Sequence, residues 1–256
     1  MVANAVTTLA QKEPWIIVAG ALLETGGQDR ANLALADYLA DQGRVVHLVA
    51  HRVESRLARH RGVVHHAVPK PFNSDVVGER LLRWQGRRLA VRLRAGRPHV
   101  LVNGGNCNWP DVNWVHYVHA AYARGGERGT LRRLRFRVSH QRWLAEERQA
   151  LRRARLVIAN SKRTRKDLVE RVGIADDRIR VVYYGIDADR FREPCPGERD
   201  TTRRELGWHQ DRPVVLFIGA LGDQRKGFDT VFRAWRTLEK NSGALDPQIG
   251  RASCRE

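Results

Sequence analysis

At 256 residues with a formal charge of +18, the chain has room to bury one large core, or one domain and part of another. Arginine supplies 40 of the 46 basic residues, which favours anionic partners such as phosphates or acidic membrane surfaces; arginine excess alone does not specify nucleic acid, and no specific nucleic-acid partner is expected. No apolar run approaches the ~20 residues of a membrane span, the start MVANAVTTLAQKEPW has no secretory pattern, and Cys107, Cys195 and Cys254 are too scattered for a disulfide framework or a zinc site, so a cytoplasmic setting is expected.

After an N-terminal tail, 1–14, the run Trp15 to Leu22 (WIIVAGAL) reads as a buried strand. The loop LETGGQDR leads into a helix on which Ala31, Ala34, Leu35, Tyr38 and Leu39 recur at helical spacing, with Gly43 just past its end. Val45 to Val53 is the next strand. Strand, glycine turn, helix and strand make a βαβ unit, which belongs in a parallel sheet. The pattern continues with a strand at Val63 to Val68, a basic helix from Asp75 to Ala95 and a strand at His99 to Asn103. The polar loop Gly104 to Asp111 precedes a strand at Trp114 to His119. Leu156 to Ala159 is a strand entering a helix capped by Ser161 and stopped at Gly173, and Ile179 to Tyr183 closes the first sheet.

The two prolines and one glycine of Glu193 to Arg199 mark a linker region, 193–212. Val214 to Gly219 (VVLFIG) then reads as a buried strand, followed by a helix with Phe228, Val231, Phe232 and Trp235 on one face. The expected organisation is therefore a Rossmann-like domain over 15–192 and the start of a second over 213–247. Ile249 to Glu256 (IGRASCRE) match the translation of a common short-read sequencing adapter, so 248–256 is expected to be an adapter-derived tail.

Several positions carry chemistry. Gly26 and Gly27, followed by Gln28, sit where a backbone approaches an anion at a helix start, although a plain tight turn fits them as well. Arg225 and Lys226, following Gly219, offer two cations at a helix entrance, which suits a diphosphate cradle, although a surface loop with basic residues fits them too. His116 and His119, three apart on a strand, point to opposite faces and are not expected to share a metal; taken alone, each reads first as a hydrogen-bonded core histidine. Asp187 and Asp189 imitate a D-x-D metal motif, but their place in YYGIDADRF reads as a turn, and no metal or other cofactor is expected. Between Arg124 and Arg155 lie eleven Arg and three Glu, with Leu131, Leu134 and Val138 at helical spacing. That stretch suits either a helix lying on an acidic membrane surface, at the inner face, or a solvated helix.

The blocks VIANSKRTRKDLVERVGIADDRIRVVYYGIDADRF (157–191) and LFIGALGDQRKGFDTVFRAW (216–235), with GGQDR at 26–30, resemble the family 4 retaining glycosyltransferases. The resemblance covers about residues 15–240. It implies an α/β fold of GT-B type: a complete N-terminal Rossmann-like domain on the acceptor side, and the first strand and helix of a donor-binding domain. It implies transfer of a sugar from a nucleotide-sugar donor to an acceptor that the sequence does not name, with retention. Gly26, Gly27 and Gln28 would line the cleft. His119 would lie near the transferred sugar as the catalytic candidate, and Arg225, Lys226 and Gly219 would hold the donor phosphates. The family often places Arg after the glycine that ends this strand, whereas here the residue is Ala220. The family's E-x7-E motif falls beyond the end of this sequence, so the 256 residues are expected to lack transferase activity. The competing class is a non-enzymatic Rossmann-like domain that binds anionic ligands or membrane lipids.

Overall fold

The computed structural model describes residues 13–121, 130–219 and 226–242, and divides into two units at Gly185/Ile186. In the first, strands β1 (Trp15–Val18), β2 (Ala21–Leu22), β3 (Val46–Ala50), β4 (Arg52–Val53), β5 (Val63–Ala67), β6 (His99–Val102), β7 (Val112–Val115), β8 (Leu156–Ala159) and β9 (Ile179–Val181) alternate with helices. The helices are α1 (Gly27–Asp41), α2 (Ser55–Ala58), α3 (Asp75–Arg92), α4 (Thr130–Arg153) and α5 (Lys162–Asp167). Seven strands form one parallel sheet in the order β5-β3-β1-β6-β7-β8-β9. The order reverses direction between β1 and β6, the switch point at which open α/β sheets leave a crevice beyond the carboxyl ends of their strands.

Helices cover both faces of this sheet, which is why its strands read as continuous apolar runs. Along β1, Ile17 joins Leu33, Ala36 and Leu39 of α1, while Ile16 and Val18 join Leu82, Leu89 and Ala90 of α3. A third cluster gathers Leu151 of α4, Val157 and Ala159 of β8, and Leu168 and Val172. Ser161 accepts from the Thr164 N–H at 3.1 Å and caps α5, and Gly173, at φ 75°, ends the following helical turn Leu168–Val172 in the left-handed region.

Four expectations need correction. The apolar runs at 15–22 and 45–53 each break in two, because β2 and β4 leave the main sheet and pair with each other. The buried face of α1 is Asn32, Leu33, Ala36, Leu39 and Ala40, and Tyr38 is 61% exposed. The stripe is rotated so that it is centred on Ala36 and takes in a polar residue, Asn32. The strand expected at 114–119 is β7, which ends at Val115 where its partner β8 ends at Ala159; His116 lies beyond it and His119 opens a short helical turn, His119–Ala121. Finally, 213–219 form no strand. A strand needs a ladder partner, none is present among the described residues of the second unit, and Leu216 and Ile218 are left exposed.

The second unit contains α6 (Glu198–Glu205), which begins inside the proline-rich linker segment, and α7 (Phe228–Ser242). On α7, Phe228 stacks near Phe232, with ring centroids 5.9 Å apart, and meets Phe217 edge-on at 5.3 Å. The tail at 248–256 lies outside the described residues.

Gly86 lets α3 lie directly on β1. A Cβ there would come within 2.9 Å of Val18 Cγ2, on a side chain buried on all sides. Glycine inside a helix ordinarily costs up to about 1 kcal/mol relative to alanine, but overpacking costs about 1–3 kcal/mol. Gly86→Ala is therefore expected to lower the unfolding free energy by about 1 kcal/mol in urea titrations, against the usual helical trend.

Candidate active site

The carboxyl ends of β6, β7, β8 and β9 each deliver a polar side chain, and these side chains bond to one another. Asn103 follows β6. Its Oδ1 accepts from Nδ2 of Asn32 on α1 at 3.0 Å, and its Nδ2 donates to the Trp114 carbonyl at 3.3 Å and to His116 Nε2 at 3.1 Å. The Trp114 carbonyl only accepts, which fixes the orientation of the Asn103 amide. His116 Nε2 is therefore the acceptor nitrogen and Nδ1 carries the proton, which it donates to the Tyr184 hydroxyl. Asn160, after β8, donates to the same hydroxyl at 3.2 Å and to the His116 carbonyl at 2.8 Å, and accepts from Thr164 Oγ1 at 2.6 Å. Two donations fill the lone pairs of the Tyr184 oxygen. Its own hydrogen is left for a partner outside the network, on a residue that is 38% exposed.

Burial sets the protonation of this network. Desolvation pushes His116 down from 6.5 to about 4. Desolvation also raises the Tyr184 hydroxyl, against the opposing hydrogen bond from Asn160.

On α1 the glycine loop sits beside the switch point. Gly26 is the N-cap, with φ 81° and ψ 141°, a conformation that strains any other residue. A Cβ on Gly27 would meet nothing within 4 Å, so open space adjoins the helix start. No side chain caps this end, and Gln28 occupies the first turn, half-buried.

His119 sits farther along the loop after β7. Its Nδ1 and its backbone N–H both lie 3.0 Å from Glu147 Oε1, and its Nε2 lies 3.2 Å from the Tyr117 hydroxyl. Glu147, on α4, is 1% exposed. Next to it, Glu146 accepts from Arg83 and Arg142 at 3.1 and 2.8 Å. Burial works to raise the Glu146 pKa, but these two guanidinium partners bring it below the ordinary carboxylate value. Glu79, bonded to Trp143 Nε1 at 3.1 Å, is raised, first by burial and then by the charge of Glu146.

Of the three residues expected at the donor phosphates, Gly219 and Lys226 lie together: a Cβ on Gly219 would be 3.3 Å from Lys226 Cβ. Arg225 lies outside the described residues, as does Ala220. Asp187 Oδ1 accepts from the backbone N–H groups of Asp189 and Arg190, both at 3.2 Å, which makes its turn self-capping. The side chains of 130–139, with the expected apolar positions Leu131, Leu134 and Val138, are also outside the described residues. Among the described residues no helix is long and apolar enough to cross a membrane.

Sequence reasoning passed over Asn103, Asn160, Tyr184 and Glu147. The signal for the asparagines is positional: each closes an apolar run, HVLVN and LVIAN, at the end of a parallel strand. Glu147 is hidden inside an arginine-rich helix.

Residues 25–190 match the model of Glycosyltransferase Family 4. The chain belongs to this family. It is 38% identical over 88 residues to a D-inositol 3-phosphate glycosyltransferase of Nocardia farcinica, covering 34% of this chain and 19% of that protein. It is 30% identical over 173 residues to a protein of Burkholderia thailandensis named as a probable transglycosylase, covering 67% of this chain and 45% of that one. The chain thus spans less than half the length of these two relatives. Among solved structures it resembles WaaG, a glycosyltransferase involved in lipopolysaccharide biosynthesis, with a TM-score of 0.62 at 20% identity over 88% of this chain and 61% of that one. It resembles sucrose-phosphate synthase from Thermosynechococcus elongatus equally, with a TM-score of 0.62 at 17% identity over 89% and 60%. At such identities the likeness speaks for the fold, and it agrees with the α/β, Rossmann-like architecture of GT-B type.

The depressed pKa of His116 makes the fold acid-sensitive. At pH above 6.5 the ring is neutral in both folded and unfolded chains. Between 6.5 and about 4 only the unfolded chain takes up the proton, so stability falls with pH across that window. Urea unfolding near pH 7 and about pH 4.5 is expected to show a loss roughly 2 kcal/mol larger in the wild type than in His116→Gln.

Proposed function

We propose that the chain is the acceptor-side domain, with the beginning of the donor-side domain, of a glycosyltransferase that moves a sugar from a nucleotide-sugar donor to an acceptor with retention. The observation that carries the proposal is the placement of the polar network: it starts at the β1/β6 switch point, where α/β sheets bind ligands, with Asn32 of α1 bonded to Asn103 after β6, and runs outward along the ends of β7, β8 and β9, in a chain of this family.

In this reading Gly26, Gly27 and Gln28 form the cleft wall beside the donor phosphates and the acceptor. The open space at Gly27 supports close backbone approach there. His119 lies near the transferred sugar. Gly219, Arg225 and Lys226 hold the diphosphate and stabilise the charge that develops on the leaving nucleotide. Transfer in this reading is metal-independent; the two backbone N–H groups that Asp187 Oδ1 accepts support taking its D-x-D pair as a structural turn. The eleven arginines between Arg124 and Arg155 in the sequence suit peripheral contact with an acidic membrane.

The 256 residues alone are expected to transfer no sugar, whereas a chain continued through a complete second Rossmann-like domain transfers it without chelator-sensitive metal. Proton NMR of the product is expected to show the anomeric configuration of the donor. Inverted product, or donor binding with no transfer by the extended chain, would overturn the proposal, the latter in favour of a binding domain.

A further inference from the structure

The buried carboxylate of Glu147 has no place in the roles assigned so far. It lies on α4, 28 positions from His119 in sequence, and is 1% exposed. A carboxylate is rarely buried so completely without a dedicated partner. Its Oε1 is 3.0 Å from two groups of the same residue, the backbone N–H and the ring Nδ1 of His119. The backbone N–H can only donate, so Oε1 is accepting, and the ring nitrogen that shares it donates as well. A histidine whose Nδ1–H is given to a carboxylate has its tautomer and ring angle fixed and presents Nε2 as its working nitrogen.

Two further contacts belong to the same arrangement. The Tyr117 hydroxyl lies 3.2 Å from His119 Nε2, in the place where a hydroxyl meets an accepting nitrogen. A Cβ on Gly105 would lie 3.2 Å from the Glu147 backbone nitrogen, so the glycine in the loop after β6 lets α4 approach closely enough for the carboxylate to reach.

We propose that Glu147 is the positioning residue of His119: it holds the ring proton on Nδ1 and presents Nε2 as a hydrogen-bond acceptor for a hydroxyl group rather than a donor to phosphate. This rests on the reading of His119 as a residue of the glycosyltransferase site. The fixed tautomer itself is a property of the fold and is measured without any sugar transfer.

Long-range proton–nitrogen NMR of the 15N-labelled chain tests it, with His119 assigned by its loss in His119→Gln. The expected wild-type pattern has a protonated Nδ1 and a bare Nε2, unchanged on adding inorganic diphosphate. Glu147→Gln keeps an acceptor oxygen and is expected to keep that pattern. Glu147→Leu, which removes it, shifts the ring toward the Nε2–H form favoured by free histidine. A wild-type ring with its proton on Nε2, diphosphate-driven protonation of Nε2, or the same tautomer in a folded Glu147→Leu protein would overturn the proposal. If Glu147→Leu does not fold, the wild-type and Glu147→Gln spectra decide it. A failure of sugar transfer by the extended chain would count against the enzymatic reading and leave these spectra as they are.

Discussion

A single buried amide pair, Asn32 with Asn103, ties the helix that carries the glycine loop to the strand end across the switch point. Asn32 is fully buried and Asn103 is 3% exposed. A buried amide without a partner costs about 1–3 kcal/mol, whereas a bonded pair contributes modestly. The pair is therefore strongly selective for one geometry. With Oδ1 committed to Asn32, the Asn103 amide turns its nitrogen to Trp114 and His116. That choice sets the His116 tautomer, which in turn sets the donor that meets Tyr184. One orientation thus propagates through three strand ends.

The apolar sheet supplies rigidity and the rim supplies chemistry. Strands β1, β3 and β6 are buried on both faces and hold their own ends in place. The polar groups that follow them need only short hydrogen bonds to be oriented. Two such assemblies result: the amide, imidazole and phenol string at β6 to β9, and the His119–Glu147 pair braced from α4. Both carry a histidine whose Nδ1 donates, but to different groups, a phenol in one and a carboxylate in the other. Histidines three residues apart on one loop are thereby placed in different surroundings.

The main sheet was legible in the sequence because two-sided burial writes strands as unbroken apolar runs, and WIIV, HVLV and LVIA sit where those runs lie. The face of α1 was not legible, since a periodicity count treats Asn32 as outward-facing when it is fully buried. VVLFIG has the composition of a strand, but a ladder needs a neighbour, and none is present among the described residues. At the candidate site, Gly26 was readable from its place between strand and helix. Asn103, Asn160 and Glu147 are common polar residues whose meaning comes only from what folding brings opposite them.

A double-mutant cycle on Asn32→Leu and Asn103→Leu, read by urea unfolding of the chain, tests the keystone directly. Strong non-additivity is expected: Asn103→Leu leaves the buried Asn32 amide without its partner, and Asn32→Leu leaves Asn103 Oδ1 without a donor while its Nδ2 keeps Trp114 and His116, so the double change costs less than the sum by about 1–2 kcal/mol. Additive effects would mean that the two amides do not depend on each other, and would contradict the account.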